Sequence, residues 1–420
     1  MTDKNAELGH QKLDWARAHM PVHAALRQRF AEQAPFSGVR IAVCSHIEAK
    51  TGVFLETLAA AGADVVFTGS EPGSSQDDVV AALNQQPGIT GYAQRGVSEE
   101  RLAGLHGQAL EHGPNLILDD AAELTARLAH QRPDLLDDLQ GVCEQTTTGV
   151  QRIRAMVAEG VLRFPAYAVN HTPMKHEFDN IHGTGESALT NLMLTTNLLL
   201  AGKQVVVAGY GDCGVGIAHK ARAWGAQVTV TEVEPRRALR AHMNGFAVMP
   251  MVEAAAQGEI FITATGNRDV LRVEHFERMR DGAILANAGH FNVEIDRDGL
   301  AGLAVERRQA RPGIEAFCTA DGREIHLVCE GRLVNLAAPT AMGHPAEVMD
   351  QTFAMQFMAA RDLLVRREQL AAGVHPVPDA VDEEVAALKL ETLGVGIDAL
   401  TESQQRFLEA WRSEEILDRP

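Results

Sequence analysis

The segment KHEFDN (175–180) places Lys175 four residues before Asp179, with Asn180 beside them. That spacing sets an ammonium and a carboxylate side by side on a helix. Solvated, the two are only an ion pair; buried, a lysine whose pKa falls becomes a proton-transfer group. Other chemistry-bearing residues end apolar runs. VRIAVCSH (39–46) closes on His46, DVVFTGS (64–70) on Ser70, and NLILDD (115–120) on Asp119 and Asp120. Parallel sheets gather ligand groups at such carboxyl ends. Each residue also has a plainer reading. Asp120 suits a helix N-cap, His46 a core histidine, and His290 and His344 turns beside Phe291 and Pro345.

A third constellation carries its own context. QVVVAGYGDCGVGIAHKARAWGAQVTVTE (204–232) holds Gly209, Gly211 and Gly214 in GxGxxG spacing. A β-run precedes the glycines, a helix from Val215 to Trp224 follows, and a second strand ends on Glu232. Gly209 permits the tight turn, Gly211 lets backbone approach a pyrophosphate, and Gly214 lets helix pack on strand. The helix N-terminus then faces the phosphates. Glu232 binds a ribose diol and repels a 2′-phosphate, which favours NAD over NADP. Arg236 and Arg237, close behind, soften that preference.

These motifs need a scaffold, and the chain supplies one. Strand and helix patterns alternate through the first third: TGVFLETLAAAGA follows the first strand and QDDVVAALNQQ the second. That rhythm predicts a parallel sheet covered by helices. A helix is expected over ESALTNLMLTTNLLLAG (186–202). A second βαβ series runs from residue 204 to about residue 340, through QVTVTE, EIFITATG, AILANAG and HLVCE. From Val377 the chain turns helical and charge-rich, as an extension expected to pack on something else; its charge run from Arg412 reads as a solvated helix.

Composition narrows the function. The 420 residues allow two or three domains. A formal charge of −18 disfavours nucleic acid and anionic membranes and favours a small-molecule substrate. Five scattered cysteines, without a CxxC pair, argue against disulfides and structural zinc and suit a reducing cytoplasm. The polar N-terminus reads as no signal peptide, no apolar run predicts a membrane span, and no metal ligand set is expected.

Taken in order, HIEAKTG (46–52), SSQDD (74–78), LDD (118–120), TTTGV (146–150), KHEFDN, AGYGDCG (208–214), ANAGHFNVEI (286–295), EGRLVNLA (330–337) and MGHP (342–345) resemble the S-adenosyl-L-homocysteine hydrolase family. HIEAKT is similar to its archaeal and thermophile-type branch; the eukaryotic form has Thr and Glu or Gln where Glu48 and Lys50 stand. The C-terminus likewise lacks the longer form's Lys- and Tyr-containing tail.

The resemblance implies a redox-neutral cycle on a nucleoside thioether. Tightly held NAD oxidises the ribose 3′-hydroxyl, the ketone acidifies the C4′ proton, the 5′-thiol leaves, water adds, and the ketone is reduced again. It implies catalytic roles for His46, Asp120, Lys175, Asp179, Asn180 and His290. Glu48, Lys50, Thr51, Gln76, Gln145 and His344 become substrate-binding residues. Thr146, Thr147, Thr148, Gly209, Gly211, Asp212, Gly214, Glu232, Asn267 and Asn335 become cofactor-binding residues. It also implies a homotetramer. The expected architecture is α/β: a substrate domain with a parallel sheet (1–184), an inserted Rossmann domain for NAD (185–343), a substrate-domain return and hinge (344–376), and a helical C-terminal extension (377–420).

Four departures from the family pattern fall near the expected substrate pocket. Gln145 replaces a carboxylate, and an amide cannot take a proton. Ala121 and Ala122 replace glycines, which is expected to hold that turn at negative φ. His171 replaces an acid. The stretch between Asn335 and His344 is two residues longer than usual and contains Pro339. Hydrolysis of S-adenosyl-L-homocysteine is therefore weighed against the same chemistry on another nucleoside such as S-inosyl-L-homocysteine. A non-catalytic NAD-binding paralog and a simple dehydrogenase stay open behind them.

Overall fold

A computed structural model describes residues 3–411. The charge run from Arg412 lies outside the described residues. Among the described residues, fifteen strands follow in chain order. β1 (Arg40–Ser45), β2 (Asp64–Gly69), β3 (Ile89–Tyr92), β4 (Leu116–Asp119), β5 (Gly141–Glu144) and β6 (Pro165–Ala168) precede a long helical stretch. β7 (Gln204–Ala208), β8 (Gln227–Thr231), β9 (Ala247–Val248), β10 (Ile260–Thr263) and β11 (Ala283–Asn287) come next. β12 (Ala304–Arg311), β13 (Ile314–Thr319), β14 (Glu324–Val328) and β15 (Gly373–His375) complete the set.

The strands form two sheets, ordered β15-β6-β5-β4-β1-β2-β3 and β12-β13-β14-β11-β10-β7-β8-β9. The first is parallel throughout. Its central strands, such as Ile41–Ser45, are continuous buried runs, as helices on both faces require. The second is parallel from β14 to β9 and closes with an antiparallel β14–β13–β12 ribbon. Its edge strand AVERRQAR is almost wholly exposed and charged, which blunts the open edge. Each sheet contains the doubly wound order 3-2-1-4-5, with a crevice where the order reverses: beside β1 and β4 in one, β7 and β10 in the other.

The chain leaves the first sheet after β6 and returns to it with β15. The helix Ala346–Val365 brings it back, burying Phe353 and Phe357 in the first core; Phe353 stacks on Phe54 at 4.8 Å. The first core is thus built from both ends of the sequence.

Several elements differ from expectation. The helix expected over 186–202 is Thr184–Thr196, stopped by Asn197 at φ 56°, so Leu198–Leu200 are not helical. The helix after the glycine turn begins at Asp212, three residues early. The helix Asp379–Leu393 packs on this chain's own first core through Val381 and Val385, and its Lys389 pairs with buried Asp350 at 3.2 Å. The later helix, Glu402–Glu409, buries no residue.

Candidate active site

The two crevices open into one cavity of about 1380 Å³. The first sheet contributes Ser45, His46, Asp120 and Gln145 from the ends of β1, β4 and β5; the second contributes Gly209, Gly211 and Ala264–Asn267 after β7 and β10. Lys175, His176, Asp179, Asn180, Thr184 and His344 line it between the sheets.

Lys175 ends a short α-turn, and the next eight residues, His176–Gly183, wind as a π-helix. π-Turns are rare and concentrate at functional sites. The wider winding brings i and i+5 together, so Lys175 Nζ donates to Asn180 Oδ1 at 2.6 Å while lying 3.3 Å from Asp179. Asn180 Nδ2 donates to Asn170 Oδ1 at 3.2 Å, and Asn170 Nδ2 to Thr147 Oγ1 at 2.9 Å. On the other side, His344 Nδ1 is 2.5 Å from Asp179 Oδ1, and its Nε2 is 3.4 Å from Thr184 Oγ1. Burial alone would raise the Asp179 carboxyl; Lys175 and His344 together hold it far below the usual range. The solvated ion pair is therefore excluded, because both partners are buried.

A second cluster stands across the cavity. His46 Nε2 is 3.4 Å and His290 Nδ1 3.7 Å from the Asp120 carboxylate, with the two rings 5.7 Å apart. Ser74 Oγ, 2.8 Å from His46 Nδ1, fixes that ring. Burial lowers the pKa of both histidines against the pull of Asp120. Asp120 Oδ1 and His290 Nε2 are buried and make no hydrogen bond. Ligand atoms of all three residues lie within 4.8 Å of one another, close enough to hold a metal ion, although the sequence suggested no metal ligand set.

Beneath this cluster the alanine turn departs from expectation. Ala121 and Ala122 sit at φ 62° and 55°, in the left-handed region that alanine was expected to avoid. The cause is buried Glu144. Its carboxylate accepts the amide N–H of Ala121 at 3.2 Å and of Ala122 at 2.8 Å, while Arg152 takes the Ala121 carbonyl. Burial next to Asp119 and Asp120 pushes the Glu144 carboxyl well up, and burial raises Asp119 to about 6.

Of the residues proposed to meet substrate, Glu48, Thr51, Gln145 and His344 line the cavity. Gln145 Oε1 is buried and unpartnered. Lys50 and Gln76 do not line it. Lys50 pairs with Glu48 and donates to the carbonyl of Met342 in the lengthened loop, and Gln76 Oε1 accepts from Lys12 at 2.9 Å. His171 reaches the cavity rim.

The cofactor candidates fit a dinucleotide. Gly209 has φ 95°, and a Cβ on Gly214 would lie 2.0 Å from the Gly209 carbonyl, so the helix can approach the strand only at glycine. Glu232 accepts the Tyr210 amide at 2.7 Å, closing the turn, and still faces the cavity. Asn335 donates to Ser187 at 3.1 Å and leaves its buried Oδ1 unpartnered. Thr147, Thr148, Asp212 and Asn267 line the same cavity. Thr146 lines it too, but its hydroxyl is occupied: it donates to Glu144 at 2.7 Å and caps the helix Thr147–Ala158 through the Gly149 amide. These threonines therefore form a helix start.

Family models for the S-adenosyl-L-homocysteine hydrolase NAD-binding domain and for S-adenosyl-L-homocysteine hydrolase match residues 180–341 and 2–134. An adenosylhomocysteinase of Haloquadratum walsbyi is 53% identical over 96% of this chain and 93% of its own.

The chain belongs to the S-adenosyl-L-homocysteine hydrolase family.

It carries that family's NAD-binding domain, so NAD is its cofactor. An adenosylhomocysteinase of Thermococcus kodakarensis is 51% identical over 97% of this chain and 96% of its own. An S-inosyl-L-homocysteine hydrolase of Methanopyrus kandleri is 49% identical over 97% and 95%. The relatives therefore span both purine bases.

Asn170, Thr184 and Glu144 were not site candidates. Only Glu144 carried a signal, as the intact carboxylate before Gln145. The roles of Asn170 and Thr184 depend on the π-turn, which leaves no mark in hydrophobic spacing.

Proposed function

We propose that this protein catalyses the reversible, redox-neutral hydrolysis of S-adenosyl-L-homocysteine to adenosine and homocysteine. The observation that carries the reading is the meeting of two clusters in one cavity. Lys175, Asp179 and Asn180 stand on the dinucleotide side, and His46, Asp120 and His290 stand opposite. Bound NAD supplies reversible hydride exchange at the ribose 3′ carbon. Lys175 and Asp179 hold the 3′-hydroxyl and its proton. His46, Asp120 and His290 surround the 5′ side, where a proton meets the departing thiolate and water enters.

Glu48 favours adenine over hypoxanthine. Glu48 lines the cavity, and Lys50 is turned away onto Glu48 and Met342. The polar edge offered to a purine is then an acceptor, which suits an exocyclic amine.

We place the enzyme in the cytoplasm, on its cysteine usage, with five free thiols. We also read it as a homotetramer. Ile397, Phe407 and Leu408 near the C-terminus expose apolar surface of the kind a second copy covers.

The test mixes purified enzyme with S-adenosyl-L-homocysteine and, separately, with S-inosyl-L-homocysteine. Free thiol and the reduced-nicotinamide absorbance are followed together. Thiol release without lasting reduced nicotinamide, faster in the adenosyl reaction, is expected. Reduced nicotinamide that accumulates without thiol overturns the hydrolase reading.

A further inference from the structure

Four lysines and arginines line the cavity, and three of them are neutralised by an acid. Lys175 pairs with Asp179, Arg268 with Asp269 at 3.1 Å, and Arg272 with Glu274 at 2.5 Å. The fourth, Arg237, has no acidic partner for its guanidinium among the described residues. Its neighbour Arg236 takes the carboxylate both might share, donating to Glu234 at 2.8 Å. Glu232 is no partner either, since it accepts the amides of Tyr210, Val233 and Glu234.

The backbone of Arg237 is anchored beside the glycine turn. Its backbone N–H donates to Glu234 at 3.1 Å in the first turn of the helix Pro235–Met243. Its Nη1 lies 3.5 Å from where a Cβ on Gly211 would sit. Gly211 is the glycine that lets a pyrophosphate approach, and it caps the helix Asp212–Ala223 without any side-chain hydrogen bond. An anion there meets the helix amides on one side and the guanidinium on the other.

We propose that Arg237 is the residue that retains the cofactor, clamping the pyrophosphate of NAD against the Gly211 turn. This rests on the NAD-binding reading of that turn. The physical need is plain. The chain has a net charge of −18, and the cavity acids Asp212, Glu232 and Glu234 all stand near the dinucleotide's path. An anionic cofactor in that field is repelled unless one cation is left uncommitted. An exposed cation acts through screened Coulomb attraction, so retention weakens as salt shortens the Debye length from about 30 Å at 0.01 M to about 3 Å at 1 M.

The test measures NAD⁺ dissociation constants by equilibrium dialysis and NAD⁺ release rates from the holoenzyme, at low and high salt. Wild type, R237A, R237K and R236A are compared. R237A is expected to bind NAD⁺ roughly tenfold or more weakly at low salt, and to lose most of the salt dependence. R237K, which keeps charge but not the fork, falls between. R236A behaves as wild type. Equal retention and equal salt dependence in R237A overturn the proposal, as does an R236A loss of the same size. Wild type that binds no NAD⁺ overturns instead the cofactor reading beneath it. Unfolding midpoints of the cofactor-free variants, expected to match wild type, exclude misfolding as the cause.

Discussion

His344 Nδ1 stands 2.5 Å from Asp179 Oδ1, joining the segment that returns from the second sheet to the π-turn that enters it. The contact spans the two crossings between sheets, so it forms only when both crossings are in register. Replacing His344 with Asn removes one of two groups that hold the Asp179 carboxyl down. We expect kcat/KM with S-adenosyl-L-homocysteine to fall roughly a hundredfold, the scale of a lost proton-handling group, with NAD retained. Near wild-type turnover would show that the contact is only structural.

Gly183 tests the same contact without replacing either partner. It ends the π-turn at φ −60°, where alanine is as comfortable as glycine. A methyl there would lie 2.6 Å from His344 Nδ1. In the helical backbone, alanine stabilises by about 0.5–1 kcal/mol over glycine. We expect G183A to keep or raise the unfolding midpoint while kcat/KM falls as it does for His344→Asn. A fall in stability with unchanged kcat/KM sinks the argument.

What was legible in the sequence follows from what leaves a periodic or compositional mark. The buried runs of β1 and β7 and the glycines at 209, 211 and 214 did so, and they fixed both crevices. His46 and Asp120 stood out because they end strands, whereas Lys175 and Asp179 were singled out through the family resemblance, since their spacing alone reads as an ordinary ion pair. The π-turn was not legible, since one extra residue per turn is silent in hydrophobic spacing. The left-handed alanines were not, because Glu144 imposes that conformation from another strand. Gln76 misled because its motif is intact, yet its side chain turns to Lys12. Leu198–Leu200 read as helix because propensity alone cannot see Asn197 stop it.

The alanine turn yields a stability prediction. A left-handed alanine costs about 1–2 kcal/mol, while glycine's extra unfolded-state freedom costs about 0.5–1 kcal/mol. The Ala121 methyl lies outside the apolar clusters, whereas Ala122 packs with Leu124 and Leu128. Ala121→Gly should therefore stabilise the protein by roughly 0.5–1 kcal/mol, seen as a higher unfolding midpoint. Ala122→Gly should gain less, because it also gives up a packed methyl. A lower midpoint for Ala121→Gly would show that Glu144 leaves no strain in the turn.

Base choice depends on Glu48. Its carboxylate offers only acceptance while Lys50 is committed to Glu48 and to Met342. Glu48→Gln keeps the shape and adds a donor that can serve a 6-oxo group. The ratio of kcat/KM for the adenosyl over the inosyl substrate should fall by roughly tenfold or more. An unchanged ratio would place base recognition elsewhere in the cavity.

The pH profile follows from the second cluster. Burial lowers the pKa of His46 and of His290. A free histidine takes a proton near pH 6.5; in the folded chain these two take theirs only at lower pH. The unfolded chain therefore binds protons first, and their contribution to stability, present above about pH 6.5, is lost as pH falls through the lower folded value. If neutral imidazoles are needed beside Asp120, kcat/KM should hold constant through pH 6.5 and bend only below it. The measurement is kcat/KM against pH with the cofactor saturating. An acid limb centred at or above pH 6.5 would mean that the protons controlling the reaction are not carried by this buried pair.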